Sequence, residues 1–217
     1  MKGYQIKIEL INSKPLIWRR VLIPADITFR RLHDTIQLSM GWFDAHLYEF
    51  EFKEEKLRIT NDEESFEEYK FYKKRYKNNL ITAEELEDDP FGITKRILET
   101  AVKLPQTVKI DGYIEKYKNI NYVYDFGDYW EHNIKFEKII DNYEFGYPKI
   151  VEGNGACPPE DVGGISGYKD FLKIWNNPKD PEYEDNKTWG ESQHYRPFDI
   201  YFYNNLLKSC LKIKKVK

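Results

Sequence analysis

Alternating apolar and polar residues at the start of the chain predict a β-hairpin. The alternation runs from Tyr4 to Leu10 and has the period of a strand with one buried face. Turn-forming residues follow at positions 12–15, and a second apolar run extends from Ile17 to Ile23 before Pro24 interrupts it. Two antiparallel strands joined by a turn are therefore expected.

A helical period follows this hairpin. Apolar residues recur at intervals of three or four between Phe29 and Met40. Thr28 carries the side chain of a helix N-cap, and Gly41 is suited to end the helix. We expect the helix to cover the hairpin. Alternation returns at residues 47–52, which predicts a third strand.

Residues 121–140, NYVYDFGDYWEHNIKFEKII, predict a second hairpin. Gly127-Asp128 would form a two-residue turn, since glycine supplies the positive φ that such turns need. This register places Asp125 opposite Trp130 and makes Asp125 and His132 diagonal neighbours. The residues predicted on the shared face are Val123, Asp125, Trp130, His132, Ile134 and Phe136.

The composition changes at residues 53–89, where charged side chains are dense and aliphatic ones are few. This pattern favours an exposed excursion, such as a solvated helix or loop, over an element of the core. Beyond it, residues 93–104 have enough aliphatic side chains for a short helix that Pro105 would end, and Asp111 can cap a further helical turn.

Glycine and proline dominate residues 153–164, which predicts a rigid loop without regular structure. Ser166 then caps a helix that ends before Pro178, and a polar connection leads on to a last helix from Asp199 and a basic tail. The residues expected on the inward face of the last helix are Tyr203, Leu206, Leu207 and Cys210.

The composition of the 217-residue chain fits one globular domain. It is 41% hydrophobic, and much of that apolar mass lies in 17 Tyr, 13 Phe and 5 Trp, which favour strands. We therefore predict a single α+β domain over residues 1–217, with a mostly antiparallel, twisted or barrel-like sheet and helices packed on it.

The net charge limits which partners are expected, and the small number of cysteines indicates a reducing compartment. A net charge of -3 provides no bulk attraction for nucleic acid or an anionic membrane, and no apolar run reaches transmembrane length. The two cysteines, Cys157 and Cys210, are too few for a disulfide framework. A cytoplasmic protein without a membrane partner is expected.

The candidate binding residues lie on the second hairpin and on the following glycine- and proline-rich loop. They combine carboxylates, an imidazole, a thiol and an indole, which are groups that orient ligands or coordinate cations. The set is Asp125, Asp128, Trp130, Glu131, His132, Cys157, Glu160 and Asp161. No cofactor is predicted, because the chain has neither a phosphate-binding loop nor a dinucleotide motif. A divalent metal is the alternative, with His132, Cys157 and Asp161 as candidate ligands.

The same residues also fit a structural role. His132 would be a hydrogen-bonded histidine beneath Trp130, and Cys157 would pack as a small hydrophobic side chain. Asp125 and Asp128 would fasten the turn.

Two further chemical hypotheses are weaker. Cys157 as a nucleophile assisted by His132 requires hydrogen-bond contact and a depressed thiol pKa, and no local pattern indicates either. His33 lies on the apolar face of the first helix, where it is expected to pack. His46 lies in the loop that follows this helix.

Several short motifs occur in a fixed order along the chain. They are PLIWRRV (15–21), LH (32–33), MGW (40–42), HLYEF (46–50), YDFGD (124–128), WEH (130–132), CPPEDVGG (157–164) and GY (167–168). In this order they resemble the plasmid pRiA4b Orf-3-like family, whose relatives include passenger proteins of insertion elements. The resemblance covers nearly the whole chain and implies one fold, but it implies no known activity because the family is essentially uncharacterised. Residues 189–197 and the insert at 53–89 depart from the family pattern.

We expect a non-catalytic binding or interaction protein whose site is the cleft between the second hairpin and the loop at 157–164, with an unknown protein or small ligand as partner. A metal-dependent enzyme using the same residues is the runner-up, with hydrolysis as one reaction open to it, so an enzymatic role is not favoured. A nucleic-acid accessory of mobile elements is the third hypothesis and rests on the family association. Its candidate cations are Arg19, Arg20, Arg30, Arg31 and the basic tail from Lys208.

Overall fold

The computed structural model describes residues 1–212 except 83, 85 and 87. The strands in that part of the chain are β1 (Gly3–Leu10), β2 (Ile17–Pro24), β3 (Tyr48–Phe52), β4 (Leu57–Thr60), β5 (Ala101–Lys103), β6 (Asn119–Tyr124), β7 (Trp130–Ile140) and β8 (Lys149–Asn154). The α-helices there are α1 (Phe29–Met40), α2 (Glu63–Lys77), α3 (Ile93–Glu99), α4 (Asp111–Tyr117), α5 (Gly164–Trp175), α6 (Tyr183–Ser192) and α7 (Ile200–Cys210). Among these helices, none combines the length and the apolar character needed to cross a membrane.

The eight strands form one sheet in the order β5-β4-β3-β6-β7-β1-β2-β8. Every neighbouring pair is antiparallel except β4 and β5, which are parallel. The prediction of an α+β fold with a mostly antiparallel sheet is confirmed. The sheet is open, with β5 and β8 at its edges, and does not close into a barrel.

The core lies where β1 and its neighbours meet α1. The alternating side chains of β1 from Tyr4 to Leu10 are fully buried, as the sequence pattern predicts. Helix α1 begins after Thr28, whose side chain accepts a hydrogen bond from the Arg31 amide, and it ends at Gly41 in a left-handed conformation. Helix α7 begins after Asp199 and contacts both α1 and β8. The first hairpin, α1, β3 and the start of α7 therefore match their predictions.

The predicted register of the second hairpin is wrong by one residue. Strands β6 and β7 pair Tyr124 with Trp130 and Tyr122 with His132, whereas the prediction placed Asp125 opposite Trp130. The connection has five residues rather than two, because Asp125 leaves the strand in a left-handed conformation with φ 58°. A one-residue shift exchanges the faces of a strand, so Asp125 does not lie on the face that carries His132.

The charged segment at 53–89 is only partly exposed. Strand β4 lies in it, pairs with β3 and buries Ile59 and Thr60 completely. The prediction of an exposed excursion is therefore wrong for Leu57–Thr60. Helix α2 fits that prediction better, because Tyr69 is its one buried residue. Residues 83, 85 and 87 of this segment lie outside the described part of the chain.

Three secondary-structure elements begin or end at residues other than those predicted. The helix predicted over 93–104 ends at Glu99, and Ala101–Lys103 pair with β4 instead. Strand β8 reaches Asn154, inside the loop predicted to be irregular. Helix α5 begins two residues before the predicted cap Ser166, after Gly163.

Two features of the C-terminal third were not predicted. The polar connection contains a helix, α6, whose only buried residue is Gly190. Cys210 is exposed rather than inward, although Tyr203 and Leu207 of the same helix are buried as expected. Residues 213–217 of the basic tail lie outside the described residues.

Two loops meet at the end of the second hairpin: the hairpin loop (residues 125–129) and the proline loop (residues 157–163). The amide of Gly163 donates a hydrogen bond of 3.1 Å to Oδ2 of Asp128. The next residue, Gly164, has φ +66°, and a Cβ atom there would lie 2.6 Å from the carbonyl oxygen of Asp128. Only glycine lets the two loops approach this closely.

We expect Gly164→Ala to destabilise the fold by about 2–3 kcal/mol, because the substitution adds left-handed strain and a backbone clash. The matched control is Gly112→Ala in the first turn of α4, where a Cβ atom would meet nothing within 4 Å. That control should be neutral or stabilising by up to about 1 kcal/mol. Urea denaturation of both variants measures the difference, and equal stabilities would contradict the steric argument.

Candidate metal centre

The imidazole of His46 lies among three carboxylates. Its Nε2 atom is 3.2 Å from Oδ1 of Asp161, 3.8 Å from Oδ2 of Asp125 and 3.8 Å from Oε2 of Glu160. The ligand atoms of His46, Asp125 and Asp161 all lie within 4.8 Å of one another. Nε2 is shielded from solvent yet has no hydrogen-bond partner, since none of these contacts has hydrogen-bond geometry. The four side chains therefore converge at ion-pair distance, but no hydrogen bond joins His46 Nε2 to a carboxylate.

The hairpin loop holds Asp125 in place through its backbone and one carboxylate oxygen. Its amide donates to the carbonyl of Leu47 at 2.9 Å, and its carbonyl accepts from the amide of Tyr129 at 2.7 Å. Oδ1 accepts from the Gly127 amide at 2.8 Å. The second oxygen, Oδ2, is the one directed at His46. Asp125 is thus a buried carboxylate with one committed oxygen and one available oxygen.

Glu160 also has one hydrogen-bonded oxygen and one available oxygen, and it is more deeply buried than Asp125. It is only 5% exposed, and Oε1 accepts hydrogen bonds from the Phe43 amide at 2.9 Å and the Tyr124 hydroxyl at 3.0 Å. Oε2 is buried and has no hydrogen-bond partner. Burial raises the pKa of Glu160, because removal from water penalises the charged form. A buried carboxylate oxygen without a partner is costly unless a cation or proton neutralises it.

Asp161 completes the group from the solvent side. It follows Glu160 in the proline loop with a left-handed φ of 56°, and its side chain is 74% exposed. The centre is consequently closed by protein on the side of Glu160 and open to solvent on the side of Asp161.

The distances around His46 suit coordination of a cation. Ligands about 2.1 Å from a metal ion lie roughly 3.0–3.4 Å apart when the angles between them are octahedral or tetrahedral. The contacts of 3.2–3.8 Å to His46 Nε2 are close to this range. Small side-chain movements would bring the nitrogen and the carboxylate oxygens onto one ion.

A second group of His33, Asp34 and Asp44 has a similar composition but is already paired. His33 Nε2 donates to Oδ1 of Asp44 at 2.7 Å, and its Nδ1 accepts from the Tyr122 hydroxyl at 2.8 Å. Arg30 forms ion pairs with both carboxylates. Burial lowers the pKa of His33 despite its hydrogen bond to Asp44, so the imidazole is neutral near pH 7. This group has no unused ligand atoms of the kind found around His46, and we assign it to structure.

The predicted candidates Trp130 and His132 lie in the core rather than in the cleft. Both are fully buried, and Nδ1 of His132 lies 2.9 Å from the carbonyl oxygen of Trp130. Burial lowers the pKa of His132 to about 3, so this imidazole is neutral. The ring of Trp42 packs against both residues, with its centroid 5.8 Å from that of Trp130 and 5.3 Å from that of His132. His132 belongs to none of the potential ligand groups among the described residues.

Cys157 is likewise separated from these groups. It is a buried free thiol, and burial raises its pKa well above the ordinary range, which opposes a nucleophilic role. The nearby cation Arg19 is fully buried, and it donates hydrogen bonds to backbone carbonyls that include those of Asn154 and Gly155. The predicted metal ligands His132, Cys157 and Asp161 are therefore not brought together.

Asp128 and Glu131 have other positions. Asp128 accepts the Gly163 amide hydrogen bond that joins the two loops. Glu131 is half-buried and pairs with Val123, so it faces away from the side chain of His132 on the same strand. Of the eight predicted residues, the structure gathers three around His46, namely Asp125, Glu160 and Asp161.

The residue that sequence reasoning undervalued is His46. Its four-residue group comes from three segments that are distant along the chain, so no local spacing of ligands marks it. The available signal was its position at the start of the HLYEF motif, directly before β3.

The cations proposed for nucleic-acid contacts are mostly engaged. Arg19 is buried, Arg20 forms ion pairs with Glu137 and Glu152, and Arg30 forms ion pairs with carboxylates of the second group. A basic groove built from these side chains is therefore not supported.

Comparison with known proteins gives one consistent assignment. The chain is 31% identical over 191 residues to the uncharacterized protein y4hQ of Sinorhizobium fredii, an alignment that covers 88% of this chain and 82% of the relative. Its fold is similar to the crystal structure of a protein of unknown function, MM3350, from Methanosarcina mazei Go1, with a TM-score of 0.67 and 29% identity. That match covers 93% of this chain and 97% of the archaeal one. The sequence profile of the plasmid pRiA4b ORF-3-like proteins matches residues 2–205. The chain belongs to the plasmid pRiA4b ORF-3-like protein family, as its motifs suggest.

Proposed function

We propose that this protein binds a divalent metal ion in the cleft between the hairpin loop and the proline loop, through His46, Asp125, Glu160 and Asp161. The observation that carries the proposal is the buried Oε2 of Glu160, which has no partner and lies 3.8 Å from the equally unpartnered Nε2 of His46. A cation bound between them would satisfy both atoms and offset the cost of burying the carboxylate. The proposal agrees with the expected binding role of this cleft.

The ligand set favours some metals over others. One imidazole and three carboxylates form a borderline-hard donor set without sulfur, which suits Mn²⁺, Fe²⁺ or Zn²⁺ better than Cu⁺. Ca²⁺ and Mg²⁺ prefer all-oxygen sites, so the nitrogen of His46 argues against them. We therefore expect transition-metal ions to bind more tightly than Mg²⁺.

Metal-assisted hydrolysis is the second candidate function, and the exposed side of the centre favours it. If the four side chains hold a metal ion, the exposed side beside Asp161 would admit water, and a metal such as Zn²⁺ would supply activation by lowering the pKa of water to about 7. We expect this activity to be metal-dependent and lost in Glu160→Gln. The test is a screen of ester and phosphodiester substrates with and without Mn²⁺, and turnover that persists after chelation would exclude this mechanism.

We expect the chelator-treated protein to bind one equivalent of Mn²⁺ or Zn²⁺, as measured by calorimetry and by elemental analysis after dialysis. At a free metal concentration of about 100 times Kd, the free energy of unfolding should rise by about 2.7 kcal/mol. His46→Ala and Glu160→Gln should each abolish the stoichiometric site, because each removes a central ligand atom.

The matched control for this experiment is His194→Asn. His194 is an exposed histidine outside the ligand group, and asparagine tolerates its left-handed φ of 58°. This variant should bind metal like the unmodified chain. A protein that takes up no metal and whose melting temperature is unchanged by added metal would refute the proposed function.

In the metal-free protein, the free energy of unfolding should depend on pH in a way that reflects the cost of burying the Glu160 carboxylate. Because burial raises its pKa, the folded state binds more protons than the unfolded state between the ordinary and the raised pKa. The free energy of unfolding therefore falls as pH rises through this window, and the full cost persists at higher pH. Glu160→Gln removes that cost and keeps the acceptor for the Phe43 amide and the Tyr124 hydroxyl.

We accordingly expect metal-free Glu160→Gln to be at least as stable as the unmodified chain at about pH 7.5, with the difference shrinking towards about pH 4.5. Urea denaturation in the presence of a chelator measures this comparison. A variant that is less stable at both pH values would indicate that the carboxylate serves packing rather than cation binding.

A further inference from the structure

A second cavity lies beside the metal centre and has a different character. It has a volume of about 370 Å³, within the usual range for sites that bind small molecules. Apolar side chains form most of its wall, and two basic side chains stand at it. The residues that matter are Leu38, Phe43, Phe202 and Leu206 on the apolar side, with His194 and Arg196 as the basic pair.

The floor of this cavity is rigid. Trp42 and Tyr203 are almost completely buried, and the Trp42 indole donates a hydrogen bond of 3.0 Å to the carbonyl of Pro158. Gly41 has φ +109°, and a Cβ atom there would lie 3.0 Å from the Tyr203 hydroxyl. The cavity thus has a preformed base, which reduces the entropy lost when a ligand binds.

Arg196 provides the charge. Its Nε donates to the carbonyl of His194 at 3.1 Å, and its guanidinium lies over the ring of Phe202 at 4.7 Å. Among the described residues it forms no ion pair with a carboxylate. Asp199, three residues away, is occupied as the cap of α7 and accepts hydrogen bonds from the amides of Tyr201 and Phe202. Arg196 therefore offers unused donors at an apolar cavity.

A much smaller cavity of about 20 Å³ lies next to this pocket and is lined in part by Glu160. It shares Phe43, His194 and Arg196 with the larger cavity and is also lined by Cys157 and Glu160. Its volume is enough for about one water molecule. Phe43 forms part of both sites, because its ring lines the larger cavity while its amide binds Glu160.

We propose that the larger cavity binds a small organic anion with an aromatic or branched aliphatic body, its carboxylate or similar group meeting Arg196 and its apolar part lying between Phe43 and Phe202. Charge complementarity selects an anion, and the fixed fork of the guanidinium selects a planar group such as a carboxylate. The apolar wall excludes simple inorganic anions, which would lose hydration without apolar burial in return. This inference goes beyond the proposed metal binding and does not require it.

The test compares naphthalene-2-carboxylate with its neutral analogue naphthalene-2-carboxamide, using calorimetry on the chelator-treated full chain. The carboxylate should bind at least tenfold more tightly than the carboxamide, because only the carboxylate pairs with the guanidinium. Arg196→Gln should weaken carboxylate binding about tenfold and leave the carboxamide affinity nearly unchanged. Phe202→Ala should weaken binding of both compounds, because it removes the apolar wall.

The matched control is Arg75→Gln. Arg75 lies over the ring of Phe71 at 5.6 Å and also forms no ion pair with a carboxylate among the described residues, but it lies outside the cavity. Its substitution should change neither affinity. Equal affinities of the two compounds, equal losses in the Arg75 and Arg196 variants, or no saturable binding of the carboxylate would overturn the inference. Because the protein is metal-free throughout, after removal of the chelator by dialysis, failure of the metal proposal leaves this result unaffected.

Discussion

The carboxylate of Glu160 is the group on which the candidate site depends. One oxygen accepts hydrogen bonds from the Phe43 amide and the Tyr124 hydroxyl, and these bonds fix the proline loop against the segment that follows α1 and against the end of β6. The other oxygen is buried and unpartnered. The same hydrogen bonds that position the carboxylate thus keep it out of water. A site that holds a charged group in this way carries a standing electrostatic cost, which a bound cation relieves.

The two histidine and carboxylate groups of this chain show that pairing, rather than composition, distinguishes a structural group from a candidate site. His33 uses both ring nitrogens, and Arg30 neutralises the carboxylates beside it. Around His46 no described arginine or lysine forms an ion pair with the carboxylates, and Nε2 has no hydrogen-bond partner. Native structures satisfy the great majority of buried polar atoms. Among the described residues, Nε1 of Trp130 and Nε2 of His132 also lack a partner, but they lie in the aromatic core, whereas the pair around His46 lies among three carboxylates. The first group has its polar atoms paired within the protein, whereas the second keeps two buried atoms without a hydrogen-bond partner.

Local signals explain which parts of the fold could be predicted. The helix between Thr28 and Gly41 follows from its own caps and apolar period, because all the required groups lie within the segment. The register of the second hairpin depends on Asp125, whose amide donates a hydrogen bond to the carbonyl of Leu47, directly before β3, and no local pattern specifies that contact. For the site, the carboxylates near the two loops could be predicted from their motifs. The histidine that joins them is His46, which becomes their neighbour only when three distant segments converge.

Phe43 contacts both the proposed metal centre and the apolar cavity. Its amide holds Glu160 Oε1, and its ring contacts His194 at the mouth of the cavity with centroids 5.9 Å apart. An occupant of the cavity that fixes this ring also fixes the backbone that orients the carboxylate. Coupling between binding sites is reciprocal. If a bound metal changes the affinity for an organic anion by some factor, the bound anion changes the affinity for the metal by the same factor.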